Sequence, residues 1–212
     1  MGRRVSWLYY VSRLVLRMAL RLSTRWQVMG RENVPRYGAV LVVANHLSLI
    51  DPPLLGVSLE RKIRFMAKEE LFRSRLSRFL MRSLGAFPVH RGRVDRAALR
   101  EAERVLARGQ VLAMFPEGMR SRGQLTDGFF GSALIAMRSG VPIVPVGITG
   151  TEKVRKASSL LHRPRLTVKI GQPFRLPPVS GKLPGEELAG LTDDIMRHIA
   201  ELLPPEYRGK YA

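Results

Sequence analysis

The 212-residue chain contains no cysteine. Disulfides, thiolate metal sites and a cysteine nucleophile are therefore excluded. Acidic side chains are scarce: 17 Asp and Glu stand against 36 Lys and Arg, for a net charge of +19 and a pI near 11.5. A surface this basic expects anionic partners, whether phospholipid, phosphorylated substrate, nucleic acid or an acidic carrier protein. Long apolar runs are missing too. The uncharged stretches Val5–Ser12, Tyr37–Ile50 and Ser139–Thr151 all fall short of the ~18 to 20 residues that span a bilayer. Arginines interrupt the N-terminal apolar region, which argues against a cleavable signal peptide. No Gly-x-Ser-x-Gly elbow occurs, so the usual setting of a serine nucleophile in α/β hydrolases is absent. No internal repeat is present.

What remains is a composition that folds. Hydrophobic residues make up 45% of the chain, and its length suits one sizeable domain. Strand-like runs are expected near Trp26–Gly30, Gly38–Ala44, Ile63–Ala67, Ala86–Val89, Val111–Phe115, Ile143–Ile148 and Leu166–Ile170. Helical patterns fall between them at Pro52–Leu59, Arg75–Leu84, Asp95–Ala107 and Ser132–Arg138, with a last one at Glu186–Leu202. Such alternation predicts a single α/β domain over residues 26–212, with a mainly parallel sheet flanked by helices. The Pro-, Ser- and Gly-rich segment Pro173–Gly185 reads as a loop before the terminal helix.

Residues 1–25 read as an amphipathic helical region. Arg13, Arg17, Arg21 and Arg25 recur every four residues and drift only about 40° per step, forming a cationic stripe. Trp7, Leu8, Tyr9, Tyr10, Val11, Leu14, Val15, Leu16, Met18 and Leu20 supply a wide apolar surface with interfacial aromatics at one end. A helix of this kind can lie in the headgroup layer of an anionic membrane. The plainer reading is a helix packed on the domain with a solvated basic face.

The chemistry-bearing residues gather at strand ends. Asn45-His46-Leu47-Ser48-Leu49-Ile50-Asp51 follows the apolar run Val40–Ala44, and such loops are where α/β proteins place ligands. Histidine moves protons near neutral pH, and a carboxylate fixes its tautomer. On one helix, residues five apart lie roughly 140° off a common face. His46 and Asp51 thus converge only across a turn, with His46 at the strand end and Asp51 capping the helix that Pro52 and Pro53 open. Ser48 lies close to His46, but in a tight turn its hydroxyl is expected to bond local backbone. Gly85–Arg91 and Phe115–Ser121 place the guanidinium groups of Arg91 and Arg120 past two further strands, and arginine is the bidentate partner of phosphate. Val141–Val146 is an apolar strand whose prolines suit a sheet edge or a site wall.

Together these segments resemble the lysophospholipid and glycerol-phosphate acyltransferase family. The shared pattern is an Asn-His-x4-Asp block, a Gly-x5-Arg block, a Phe-Pro-Glu-Gly-x-Arg-Ser block and a Val-Pro-Ile-Val-Pro block, in that order. The resemblance spans about Trp26 to Gly150. It implies that His46 is the general base and Asp51 its orienting partner. It also implies that Arg91, Glu117, Gly118 and Arg120 bind the glycerol-phosphate head, with Lys68 matching a lysine often seen in the family. It further implies an anionic membrane surface and a lysophospholipid as partners and acyl-CoA or acyl carrier protein as co-substrate. No cofactor, metal or nucleic-acid partner is implied, and the expected location is peripheral or monotopic on the cytoplasmic face of a membrane. Two departures are Met119, where the family usually has threonine, and His90, where members often carry an acidic or small polar residue. They leave open another lysolipid as acceptor. Two other classes remain: a non-catalytic basic protein on membranes or nucleic acid, and a lipid hydrolase, which would usually need a serine nucleophile that this chain does not display. His162 and His198 match nothing in the pattern and read as surface residues.

Overall fold

The computed structural model describes residues 4–90, 95–121, 123–154, 156–177 and 185–212. Seven strands are seen: β1 (Arg25–Met29), β2 (Val40–Ala44), β3 (Ile63–Lys68), β4 (Ala86–Val89), β5 (Val111–Met114), β6 (Ile143–Thr149) and β7 (Arg165–Ile170). They form one sheet in the order β1-β7-β6-β2-β5-β3-β4. Six helices accompany them: α1 (Arg4–Ser23), α2 (Asp51–Ser58), α3 (Arg75–Ser83), α4 (Arg96–Ala107), α5 (Gly131–Ser139) and α6 (Gly185–Ala200). The expected α/β domain with a mainly parallel sheet is what forms.

The pairing explains why the strands read as apolar runs. β2 lies parallel between β5 and β6, and all five of its residues are buried. Alternation sends Val40, Val42 and Ala44 to one face, where they meet Leu54 and Leu55 of α2 and Leu20 of α1. Leu41 and Val43 point to the other face, against Ile135 of α5 and Ile195 and Met196 of α6. Strands covered on both faces carry no polar alternation. The result is a three-layer domain with a core on each side of the sheet.

Two features depart from the sequence reading. β6 is central, between β2 and β7, although it carries Pro145. The proline is tolerated because the Pro145 carbonyl accepts from Gly171 N–H at 2.9 Å, just past the end of β7. A residue's N–H points to the same side as its C=O, so the missing donor faces the place where the antiparallel ladder has already ended. Second, Arg13 does not belong to an outward cationic stripe. Its guanidinium bonds the carbonyls of Leu59 and Glu60 at the C-terminal end of α2 (2.8 Å to Glu60), satisfying groups that a helix end leaves open. α1 is thereby fastened to the domain, with Tyr9 and Leu20 buried and the Tyr9 hydroxyl 3.3 Å from Ile63 N.

The parallel strands β6, β2, β5, β3 and β4 all end at the same side of the sheet. Four sequence blocks that lie far apart in the chain are therefore laid along one rim.

Candidate active site

β2 delivers Asn45 and His46 to that rim. The Asn45 side chain bonds both backbone groups of Ile148, donating to its carbonyl (2.8 Å) and accepting from its N–H (2.7 Å). This two-point clamp fixes the end of β2 against β6. His46 comes next and is 7% exposed. Its ring stacks on Phe115, with centroids 4.3 Å apart, and its Nδ1 lies 2.9 Å from Asp51 Oδ2.

The turn between them is held by the same carboxylate oxygen. Asp51 Oδ2 also accepts from the N–H groups of Leu47 and Ser48, both at 2.6 Å. Asp51 is fully buried. It is the first residue inside α2 rather than its N-cap, a position taken by Ile50 without a side-chain bond. The carboxylate is turned back onto the loop and the imidazole instead of its own helix, with Pro52 and Pro53 filling the first turn. The carboxylate can only accept, so Nδ1 carries the proton and donates it, which leaves Nε2 its lone pair. Ser48 contributes its N–H to this turn, and among the described residues its hydroxyl has no hydrogen-bond partner.

β5 and the loop after it supply the second wall. Glu117 is 1% exposed and both its oxygens are engaged. Oε1 accepts from His46 N–H at 2.8 Å, and Oε2 accepts from the N–H and hydroxyl of Thr126 at 3.3 and 3.1 Å. Burial pushes this carboxyl above its ordinary value, opposed by the bonds from His46 and Thr126. Ser121 closes the frame: its N–H (2.7 Å) and hydroxyl (3.2 Å) donate to the His46 carbonyl. The backbone of His46 is thus gripped at both its N–H and its C=O by the Phe115–Ser121 block. Gly118 has φ +64°, and a side chain there would meet the Phe129 ring at 2.7 Å. Only glycine suits that combination.

The other expected residues sit around this centre. Lys68 ends β3, next to β5, and is exposed in an ion pair with Glu70 at 3.0 Å. Arg120 is exposed, and among the described residues its guanidinium has no ion-pair partner. Arg91 lies outside the described residues. His90, just before it, bridges two carboxylates: Nε2 pairs with Glu69 and Nδ1 with Asp95 at 2.8 Å. Asp95 also accepts from His90 N–H and caps α4 through Ala97 N–H and Ala98 N–H. Those bonds, His90 N–H foremost, hold its carboxyl well below the usual range. His198 is no bare surface residue: it stacks on Phe174 at 3.8 Å and 7°. His162 is exposed, as expected.

Sequence reasoning did not reach the partners of Glu117 or an apolar rim around the site. Leu49 of the catalytic loop, Met119, Phe129 and Phe130 are all exposed. Phe129 is held to this rim by its contact with the Gly118 turn, which no spacing rule reveals.

Comparison with known proteins agrees with this arrangement. The sequence model of the Acyltransferase family matches residues 25–149. The 1-acyl-sn-glycerol-3-phosphate acyltransferase of Bacillus subtilis is 26% identical over 188 residues, covering 88% of this chain and 92% of the relative. The enzyme of that name from Streptococcus pneumoniae is 33% identical over 136 residues, 63% of this chain and 49% of the relative. The crystal structure of the 1-acyl-sn-glycerophosphate acyltransferase of Thermotoga maritima superposes with a TM-score of 0.69 at 31% identity, covering 95% of this chain and 83% of that one. The matched span contains the His46–Asp51 turn and the Glu117 clamp that grips it, and the protein is a member of the acyltransferase family.

Proposed function

We propose that the protein transfers a fatty acyl group from an acyl thioester to the free hydroxyl of a lysophospholipid, with 1-acylglycerol-3-phosphate as acceptor and phosphatidic acid as product. The observation that carries this reading is the buried Asp51–His46 pair, whose geometry keeps Nε2 as the basic nitrogen. A lipid hydroxyl is far too weak an acid to ionise at neutral pH, so its attack needs a base acting as the bond forms. His46 Nε2 takes the hydroxyl proton while the oxygen bonds the thioester carbonyl carbon. The C–S bond then breaks, and the proton passes from Nε2 to the departing thiolate. Asp51 holds the tautomer and stabilises the transient imidazolium, as in hydrolase triads with the substrate alcohol in place of the serine.

Arg120, Arg91 and Lys68 are assigned to the acceptor phosphate. Glu117 is assigned to positioning: its oxygens are occupied by His46 and Thr126, so it acts through the His46 backbone. The apolar rim of Leu49, Phe129 and Phe130 suits an acyl chain and keeps water from the thioester. α1 is read as the membrane-contacting element, because Trp7, Leu14, Val15, Met18 and Leu22 face outward at 55 to 74% exposure. Among the described residues no helix is long and apolar enough to cross a membrane, which fits contact with one leaflet.

The test is thiol release from acyl-CoA, and separately from acyl carrier protein, in the presence of 1-acylglycerol-3-phosphate. Diacyl product with either donor supports the reading. Free fatty acid in its place would make the protein a hydrolase, and a better acceptor lacking a phosphomonoester would redirect the assignment of Arg120.

A further inference from the structure

α3 is a short helix with its apolar side outward. Leu76, Phe79 and Leu80 fall at i, i+3 and i+4 and therefore share one face. They are exposed at 70, 55 and 44%. The inward positions are Ser77 and Met81, with Ser83 buried at the helix end, and Met81 packs on the core beneath the sheet. A helix that merely covered the domain would turn its leucines in and its charges out. Here Arg75, Arg78 and Arg82 occupy a flank beside the apolar face, and the helix contains no acidic residue.

The arginines also converge. Arg78 Nε donates to the Phe72 carbonyl at 3.0 Å, and Arg73, Arg78 and Arg82 line one cleft of about 650 Å³ against Pro88. The acids at that cleft are already paired, Glu69 with His90 and Glu70 with Lys68. Its unbalanced charge is positive. α3 packs beside α1 on the same layer of the domain. Large apolar side chains exposed together on one helix face mark an interaction site.

We infer that α3 is a second membrane-docking element, laying Leu76, Phe79 and Leu80 into the interfacial layer of an anionic phospholipid leaflet while Arg73, Arg75, Arg78 and Arg82 hold its headgroup phosphates. Charge selects this occupant. A second copy of a chain with net charge +19 would bring arginines against arginines across the same face, whereas an anionic surface attracts each basic residue that reaches it. The consequence is geometric. Two helices in contact with lipid fix the tilt of the domain, where one leaves it free to roll. α3 follows directly on Lys68 and the turn Glu69–Phe72, so its docking holds the β3 end of the active-site rim at the membrane. The contact rests on α3's own residues; only its link to catalysis rests on the proposed lysolipid reaction.

Because the chain has no cysteine, single labels report it cleanly. Leu76→Cys, Val15→Cys and, on the opposite layer, Arg100→Cys are labelled with an environment-sensitive fluorophore in the full-length protein. The proteins are then mixed with vesicles of phosphatidylglycerol and phosphatidylethanolamine in equal parts, with and without nitroxide-bearing acyl chains. Blue shift and quenching at positions 76 and 15, but not at 100, are expected. A shift at 15 alone would overturn the role of α3 and leave α1 as the sole contact. A shift at 76 alone would uphold α3 and remove α1, and none at either site would remove both. A shift at 76 that grows with protein concentration without lipid would identify a second copy as the occupant and overturn the inference. Separately, Leu76→Ser with Phe79→Ser should lower turnover of vesicle-embedded acceptor several-fold while sparing a short-chain, monomeric acceptor. Equal turnover in both formats would sink the link to catalysis.

Discussion

In the proposed mechanism His46 and Asp51 serve one proton transfer, so removing either should cost most of it. His46→Ala and Asp51→Asn are each expected to lower turnover by about 10² to 10⁴, the range that a positioned base contributes. The double variant should be little worse, because residues that act as a unit are not additive. Steady-state rates that fall less than tenfold in His46→Ala would remove the assignment. Glu117 separates two roles that the family resemblance leaves merged. In Glu117→Gln one backbone N–H, of His46 or of Thr126, loses its acceptor, at about 1 to 3 kcal/mol. If Glu117 positions His46, kcat should fall and the acceptor KM should hardly move. A rise confined to the acceptor KM would return Glu117 to the headgroup. Arg120 gives the complementary pattern: Arg120→Ala should raise KM for a phosphate-bearing acceptor and spare the acyl donor, with Arg120→Lys rescuing only in part because a point charge lacks the guanidinium fork. Equal losses for donor and acceptor would point to a structural role.

At the scale of the element, local chemistry decides where helices start and which are legible. α4 begins at Asp95, whose carboxylate caps two of its amides and holds His90 through both ring and backbone. Asp95→Ala should lower stability by about 1 kcal/mol as a lost cap. The carboxyl is depressed in the folded protein, so the advantage of Asp95 is present above the ordinary Asp value near 4. It should be lost progressively as pH falls below that value toward the lower folded-state value, so thermal melts of the two proteins should draw closer, without meeting, between pH 5 and pH 3. All seven strands were readable because each is a short β-branched or apolar run between turn residues, and the caps and prolines marked most helix starts. What could not be read depends on neighbours distant in sequence. Nothing in Val141–Val146 shows that β7 has ended beside Pro145, and nothing near Arg13 announces the carbonyls of α2. The site divides in the same way. His46–Asp51 lies within one turn and was legible from spacing, whereas the grip of Glu117 and Ser121 on the His46 backbone crosses 71 and 75 residues.

For the whole molecule, the question is how a rim of charged and apolar groups would meet the bilayer-borne acceptor of the proposed reaction. α1 carries two kinds of residue with separable duties. Tyr9, Leu16, Leu20 and Arg13 bind it to the domain, while Leu14, Val15, Met18 and Leu22 look outward. Deleting Met1–Ser23 therefore removes core as well as the proposed membrane contact. Losing one buried leucine alone costs about 2 to 5 kcal/mol, so the truncated protein should melt lower and cannot by itself report on membranes. Substitutions on the outward face can. Leu14→Ser with Val15→Ser should weaken flotation with anionic vesicles at every salt concentration, because apolar transfer is not screened. Arg21→Gln with Arg25→Gln should weaken it at low salt and make little difference near 1 M, where the screening length falls to about 3 Å. Both double variants should keep the wild-type melting temperature, since all four side chains are exposed. If the apolar pair floats as well as the wild type, α1 is a packing element only, and the lipid contact must lie elsewhere on the basic surface.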